Sequence, residues 1–384
     1  MGLILANDIW GCSGYNKARM KRIRITYIVN CITQLGGIER VVSMLSGYFV
    51  EKFNYEVSIV SLNTKKGEKT GFVFNEKIKI EHCGYPESEY GNRYLLDKRI
   101  RKFLKEEEVQ ETDIIIASHG NIADLIALNR RLFSGKIIFT EHSSWEFYTK
   151  ARKIIQTICY KQADRLVVLS DEAAKDYRKH GLKNVTIIPN AVREIPNFKD
   201  KGHEKHLLLA IGRIEDVKGY DNLILAIDSV KEKLGDWKVE IYGTGSKEEE
   251  LKSKIKAFSV EKYVKIAGPT NEVLDKLHEA SGYLLTSRNE AFPMVVLESL
   301  ACGTPVVAYS LPIIKEMNRK NMAILEVSPR DDYRAFGEAI TNFIENAKQR
   351  QALSKASLEL AKEYSLDNIS EQWRRLFREL LGRD

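Results

Sequence analysis

The residues best able to do chemistry stand in the stretch NEAFPMVVLESLACGTP, residues 289–305, where Glu290 and Glu298 lie eight positions apart. Pro293 has a fixed φ and no N–H, which suits the first turn of a helix. Val295, Val296, Leu300 and Ala301 fall at helical spacings, Gly303 fits the left-handed position past a helix end, and Pro305 stops the helix. This places Glu290 in the loop before a short helix and Glu298 inside it. The amides of Met294 and Val295 open toward whatever Glu290 faces, and a helix N-terminus attracts anions. A ligand with hydroxyls and phosphates, such as a nucleotide sugar, would use every part of this arrangement. The same pattern also fits an ordinary acidic first turn with one surface glutamate.

Further candidates fall where strands give way to helices. GRIEDVKG (212–219) puts Arg213 and Lys218 in such a loop, where guanidinium and ammonium groups suit phosphate oxygens. YGTGSKEEEL (242–251) has Gly243 and Gly245 directly after a strand. Glu248 stands where a dinucleotide fingerprint needs its third glycine, so this is a tight turn near a ligand rather than an NAD site. IAGPTNEV (266–273), with Gly268 and Pro269, is a loop whose backbone could meet a base. In LGGIER (35–40), Gly36 and Gly37 allow close approach to the backbone. His119 and His142, the latter beside Glu141, each follow an apolar strand. A lone histidine is usually structural, whereas two at successive strand ends of one sheet suggest a site.

The elements positioning these residues alternate as β-α-β throughout, the pattern of α/β domains with parallel sheets. A chain of 384 residues suits two such domains. The polar segment 193–206 reads as the linker between them. The expected organisation is an N-terminal extension (1–20), a domain over 21–195, a second over 196–364, and a terminal helix over 365–384. The first twenty residues lack a basic region before their weak apolar stretch, so no secretory signal is expected. No apolar run approaches the ~20 residues that span a bilayer. Five scattered cysteines without C-x-x-C indicate a reduced, cytoplasmic compartment and no zinc site, and HEKH (203–206) is one residue short of a zinc motif. The net charge of +7 permits an anionic partner, but there is no basic stripe with aromatic readers to suggest nucleic acid.

Taken in order, GGIER, SHGN, TEHSS, VVLS, IIPNAV, GRIEDVKG, YGTGS and SRNEAFPMVVLESLACGTPVVA resemble the retaining glycosyltransferases of the GT-B fold, family 4. The likeness spans roughly residues 25 to 310, and the last helix resembles the family's terminal helix that packs back on the first domain. It implies two Rossmann-like domains facing across a cleft, the first for acceptor and the second for donor. It also implies that Arg213 and Lys218 bind the donor pyrophosphate, that Glu290 contacts the sugar hydroxyls, and that Glu298 binds the ribose. The segment Ala291, Phe292, Pro293, Met294 and Val295 would hold sugar and phosphate, with Gly243, Gly268 and Pro269 completing the donor site. Gly36 and Gly37 would border phosphate and acceptor, His119 would support the reaction near the anomeric carbon, and Glu39 and His142 would lie on the acceptor side. Ala191 and Ala291 stand where the family commonly has glycine, a small change. No D-x-D occurs, in keeping with a transferase that needs neither metal nor cofactor.

The implied reaction moves a hexose or N-acetylhexosamine from a UDP-linked donor to a glycan or lipid-linked acceptor in bacterial surface polysaccharide assembly. Rival readings are a nucleotide-sugar epimerase of similar fold, a non-catalytic nucleotide-sugar-binding subunit, and an NAD-dependent oxidoreductase, the last opposed by the incomplete glycine fingerprint. Two basic segments, 97–105 and 148–161, bear on location. In the second, Ile154, Ile155 and Ile158 share a helical side ringed by Lys150, Arg152, Lys153 and Lys161. That side could fill the core or lie on an anionic membrane. The implied acceptor favours the membrane, as a peripheral protein on the inner face.

Overall fold

The computed structural model describes residues 22–34, 36–83, 92–118, 120–193 and 205–383. Among these, thirteen strands form two sheets in which every pairing is parallel. The first sheet contains β1 (Arg24–Val29), β2 (Glu56–Ser61), β3 (Lys79–His82), β4 (Ile114–Ala117), β5 (Lys136–Thr140), β6 (Arg165–Val168) and β7 (Val185–Ile187). Their order is β3-β2-β1-β4-β5-β6-β7. The second contains β8 (Leu207–Ile211), β9 (Lys238–Tyr242), β10 (Val264–Gly268), β11 (Gly282–Leu285), β12 (Val306–Tyr309) and β13 (Ile324–Val327), ordered β10-β9-β8-β11-β12-β13.

Helices cover both faces of each sheet, so inner strands such as β4 and β12 are apolar and buried throughout. The edge strands β3 and β13 were not anticipated from the sequence. β3 mixes Lys79 and Glu81 with Ile80, and β13 is half-buried, as edge strands usually are. The order of each sheet reverses once, between β1 and β4 and between β8 and β11. In doubly wound sheets the crevice at such a reversal, beyond the carboxyl ends of the strands, is where ligands sit.

The last helix, Leu366–Leu381, leaves the second domain and packs on the first. Its Ile369, Trp373, Leu376 and Phe377 join the core beneath the helix Gly37–Phe53, with the Phe377 and Phe49 rings edge to face at 5.3 Å. Where the chain crosses, the Val192 amide donates to the Tyr364 carbonyl at 2.9 Å.

Candidate active site

The loops after β8 and β11 meet at the reversal of the second sheet. After β8, the chain turns through the short 3-10 segment Asp216–Lys218 and Gly219, whose φ of +63° is the left-handed geometry that favours glycine. A Cβ there would also lie 2.2 Å from the Thr286 carbonyl oxygen, so the loops after β8 and β11 can meet only at a glycine. Thr286 Oγ1 donates to the Lys218 carbonyl at 3.0 Å, and the Arg288 amide donates to the Val217 carbonyl at 2.8 Å. With both loops fixed, Lys218 Nζ lies 2.7 Å from Glu290 Oε1, which also accepts from Ser287 Oγ at 2.7 Å.

Pro293 caps the helix Met294–Ala301 rather than lying in its first turn. The amides of Val296 and Leu297 both turn to the Pro293 carbonyl, at 3.0 and 3.3 Å. Those of Met294 and Val295 belong to the first turn, which has no helical acceptors. This N-terminus faces the first domain. A Cβ on Gly37, the first residue of the helix Gly37–Phe53, would lie 3.7 Å from Met294 Cγ.

One turn further into each helix the two domains join. Arg40 of the first forms an ion pair with Glu298 Oε1 of the second and rests over the Phe72 ring. Desolvation lowers the pKa of Arg40. The Glu298 side chain is only 6% exposed, and its Oε2 has no hydrogen-bond partner. Such an orphaned buried oxygen needs a donor, and a sugar hydroxyl is one.

A hollow of about 740 Å³ runs beside Arg40, Met294 and Glu298 toward Ala191–Arg193 and Leu366, and two more flank the N-terminus of the helix Met294–Ala301. The larger of these two, about 610 Å³, is bounded by Gly36, Gly37, Arg40 and Phe72 on one side and by Thr270, Asn271, Met294, Val295 and Glu298 on the other. The smaller lies between Ser143–Glu146 of the first domain and Arg288–Ala291 of the second, where Ser144 Oγ reaches Asn289 Oδ1 at 2.7 Å. The wall of the smaller hollow is stiffened from behind by Glu141. This buried carboxylate accepts from the Ser143 amide (2.8 Å), Tyr148 (3.1 Å), Gln156 (2.7 Å), Tyr160 (2.7 Å) and Tyr177 (3.2 Å). Burial, reinforced by the neighbouring carboxylate, pushes the Tyr160 and Tyr177 hydroxyls far above their ordinary pKa, which keeps them as donors.

The structure thus brings together Gly36, Gly37, Lys218, Glu290, Ala291, Met294, Val295 and Glu298. Phe292 and Pro293 are buried beneath them. Arg213 is exposed at the end of β8, and Pro269 is exposed beside the larger hollow, next to its lining residue Thr270. Gly268 has a φ of +81° and open space where a Cβ would point. Gly243 and Gly245 serve loop packing. A Cβ on either would lie 1.9 Å from the Gly212 carbonyl or 2.2 Å from the Ile214 carbonyl, so they let the β9 loop close on the β8 loop. Glu39 is buried, with its carboxylate folded over Gly36, and His142 Nε2 lies 3.1 Å from Thr140 Oγ1. Neither lines the two hollows. His119 lies outside the described residues. Sequence reasoning missed Arg40, Asn271, Ser287 and the Ser144–Asn289 contact. For Arg40 a signal existed, since it stands three residues after Gly37 and therefore on the same side of the helix.

Comparison with known proteins places this geometry. Residues 35–194 match the family described as Glycosyltransferase Family 4, and residues 192–359 match Glycosyl transferases group 1. An uncharacterised glycosyltransferase of Haemophilus influenzae is 28% identical over 360 residues, covering 91% of this chain and 99% of its own. The amylovoran biosynthesis glycosyltransferase AmsD of Erwinia amylovora is 24% identical, covering 91% of this chain and 98% of its own. The crystal structure of Anabaena HepE in complex with UDP and glucose superposes with a TM-score of 0.76 at 15% identity, covering 93% of this chain and all of that one. That likeness establishes the shared two-domain GT-B fold.

Proposed function

We propose that this chain, which belongs to the group 1 glycosyltransferases of family 4, transfers a hexose or N-acetylhexosamine from a UDP-linked donor to a glycan or lipid-linked saccharide in bacterial surface polysaccharide assembly. The observation that carries the reading is the pair of hollows flanking one helix N-terminus, with Glu298 on the wall of one and Glu290 on the wall of the other. The nucleoside occupies the larger, where the unpartnered Oε2 of Glu298 accepts a ribose hydroxyl. The diphosphate crosses the first turn at Met294 and Val295. The sugar enters the smaller hollow, and its hydroxyls take the place of Lys218 on Glu290. The donor class is supported by the UDP and glucose bound in HepE, and the pathway by the role named for AmsD.

Departure of the nucleoside diphosphate builds negative charge on the β-phosphate. Lys218, released from Glu290, the guanidinium of Arg213 and the helix N-terminus stabilise that charge. A divalent metal would otherwise fill this role, so the reaction runs without one. The acceptor hydroxyl attacks from the face that the diphosphate leaves: its oxygen bonds to the anomeric carbon as the bond from that carbon to the β-phosphate oxygen breaks, its proton passes to the departing phosphate oxygen, the configuration is retained, and Glu290 acts as a sugar-binding group rather than a nucleophile. His119, two residues beyond the last residue of β4 in the sequence, supports the reaction near the anomeric carbon.

The test is a panel of nucleotide sugars incubated with the purified chain in EDTA. Release of nucleoside diphosphate is followed, and the anomeric configuration of the product is read by NMR. Turnover of a UDP-sugar with retained configuration is expected. No turnover, turnover only after Mg²⁺ or Mn²⁺ is restored, epimerisation of the donor, or inversion would each overturn part of the reading.

A further inference from the structure

The helix Lys150–Tyr160 is mounted with its apolar side outward. Ile154, Ile155 and Ile158 are 62%, 45% and 60% exposed, while Gln156, Cys159 and Tyr160 are buried. The cause is Glu141, whose buried carboxylate takes hydrogen bonds from Gln156 and Tyr160 and so draws the polar side of the helix inward. The alternative that this apolar side fills the core is thereby corrected. Two neighbouring helices also carry exposed apolar side chains. Leu128, 68% exposed, ends the helix Gly120–Leu128, and Tyr94, 78% exposed, begins the helix Arg93–Phe103. The three helices are laced together by the buried Asp124, which pairs with Arg93 at 3.6 Å and with Arg152, and by Asn129 Nδ2 donating to Asp97 Oδ1 at 2.7 Å. Lys98, Arg131, Lys150 and Lys161 are exposed on or beside these helices, as is Arg101, which pairs with Asp97 at 2.6 Å but keeps more than half of its side chain in solvent. Arg99 is buried and Arg152 is committed to Asp124, so neither belongs to the surface.

Exposed apolar patches with polar rims mark interaction sites. We propose that the outer face of these three helices docks the chain on an anionic phospholipid bilayer. Isoleucines framed by lysines suit the interface of such a bilayer, with side chains entering the acyl boundary and ammonium groups meeting lipid phosphates. A second copy of the chain is the poorer partner, because a two-fold interface would set this cationic face against itself. Docking would also serve the reaction. The loop 141–148 leads directly into the helix Lys150–Tyr160 and walls the smaller hollow, so the bilayer would hold that hollow close to a lipid-linked acceptor. Only this last point rests on the proposed reaction.

The test is sedimentation of the full chain with phosphatidylglycerol-containing vesicles and with pure phosphatidylcholine vesicles, at low and high salt. Three proteins are compared: wild type, I154S/I155S/I158S, and K98Q/R101Q/K150Q/K161Q. All altered side chains are exposed, and thermal denaturation verifies that the variants fold. Wild type is expected to pellet with the anionic vesicles at low salt. Each variant should lose about tenfold or more in partitioning while still releasing diphosphate from a soluble nucleotide sugar at the wild-type rate. Absence of wild-type pelleting, equal pelleting of the isoleucine variant, or equal partition to neutral vesicles would overturn the proposal. A wild-type dimer in light scattering that the isoleucine variant dissolves would assign the face to a second copy instead. If release fails in all three proteins while docking behaves as expected, the proposed reaction falls and the docking stands.

Discussion

Truncating Arg40 to alanine strands the carboxylate of Glu298. The Glu298 side chain is 6% exposed, and its Oε2 already has no partner. Breaking a fully buried ion pair by removing one member costs about 3–5 kcal/mol. Arg40 is 28% exposed, and the hollow beside it admits water to the stranded group, so a cost of about 1–3 kcal/mol is the better figure. In a domain of ordinary size this lowers Tm by about 2–4 °C per kcal/mol. Glu298→Gln removes the charge that Arg40 neutralises, so the double variant Arg40→Ala/Glu298→Gln should cost less than the sum of the singles, with a coupling of about 0.5–3 kcal/mol. The assay is thermal or urea denaturation of wild type, both single variants and the double. Strictly additive effects, or an Arg40→Ala protein as stable as wild type, would refute the view that this pair joins the domains across the crevice.

Arg213→Ala and Lys218→Ala should each weaken binding of the preferred nucleotide sugar by about 1.5–3 kcal/mol, roughly ten- to a hundredfold; calorimetric titrations showing unchanged affinity in both would remove the phosphate grip from the account. Gly219→Ala must place a methyl against the Thr286 carbonyl at a φ of +63°. It should lower Tm and, by displacing Lys218, raise KM for the donor. Gly268→Ala serves as the contrast, because its φ of +81° is strained while its surroundings are open; it should cost about 1 kcal/mol. Equal denaturation behaviour of the two glycine variants would show that the loop collision, as distinct from backbone strain, has no effect.

The legible parts of this molecule are those with local causes. Inner strands of a parallel sheet are buried on both faces, so β4 and β12 read as continuous apolar runs, whereas the edge strands β3 and β13 carry no such run. The loops after β8 and β11 were legible because Arg213, Lys218 and Glu290 each follow a recognisable strand. The Arg40–Glu298 pair was not, since it joins residues of different domains and depends on how those domains face each other. Side-chain direction was equally hidden. Glu39 folds its carboxylate over Gly36, and His142 turns to Thr140. Gly243 and Gly245 show that a glycine needed for loop packing looks, in sequence, like one needed for a ligand. In the helix Lys150–Tyr160, spacing defines an apolar side but not where it points. That was decided by Glu141, a buried carboxylate in the preceding loop whose demand for donors outweighed the burial of three isoleucines.

The central claim is that Glu290 and Glu298 hold opposite ends of one nucleotide sugar. It is tested most directly by calorimetric titration of free UDP and of the preferred UDP-sugar into wild type, Glu290→Gln and Glu298→Gln. The account predicts that Glu298→Gln weakens both ligands alike, because the ribose is common to them. It also predicts that Glu290→Gln leaves UDP affinity near wild type and removes the increment contributed by the sugar. Loss of UDP affinity in Glu290→Gln as severe as in Glu298→Gln would contradict the assignment of the two carboxylates.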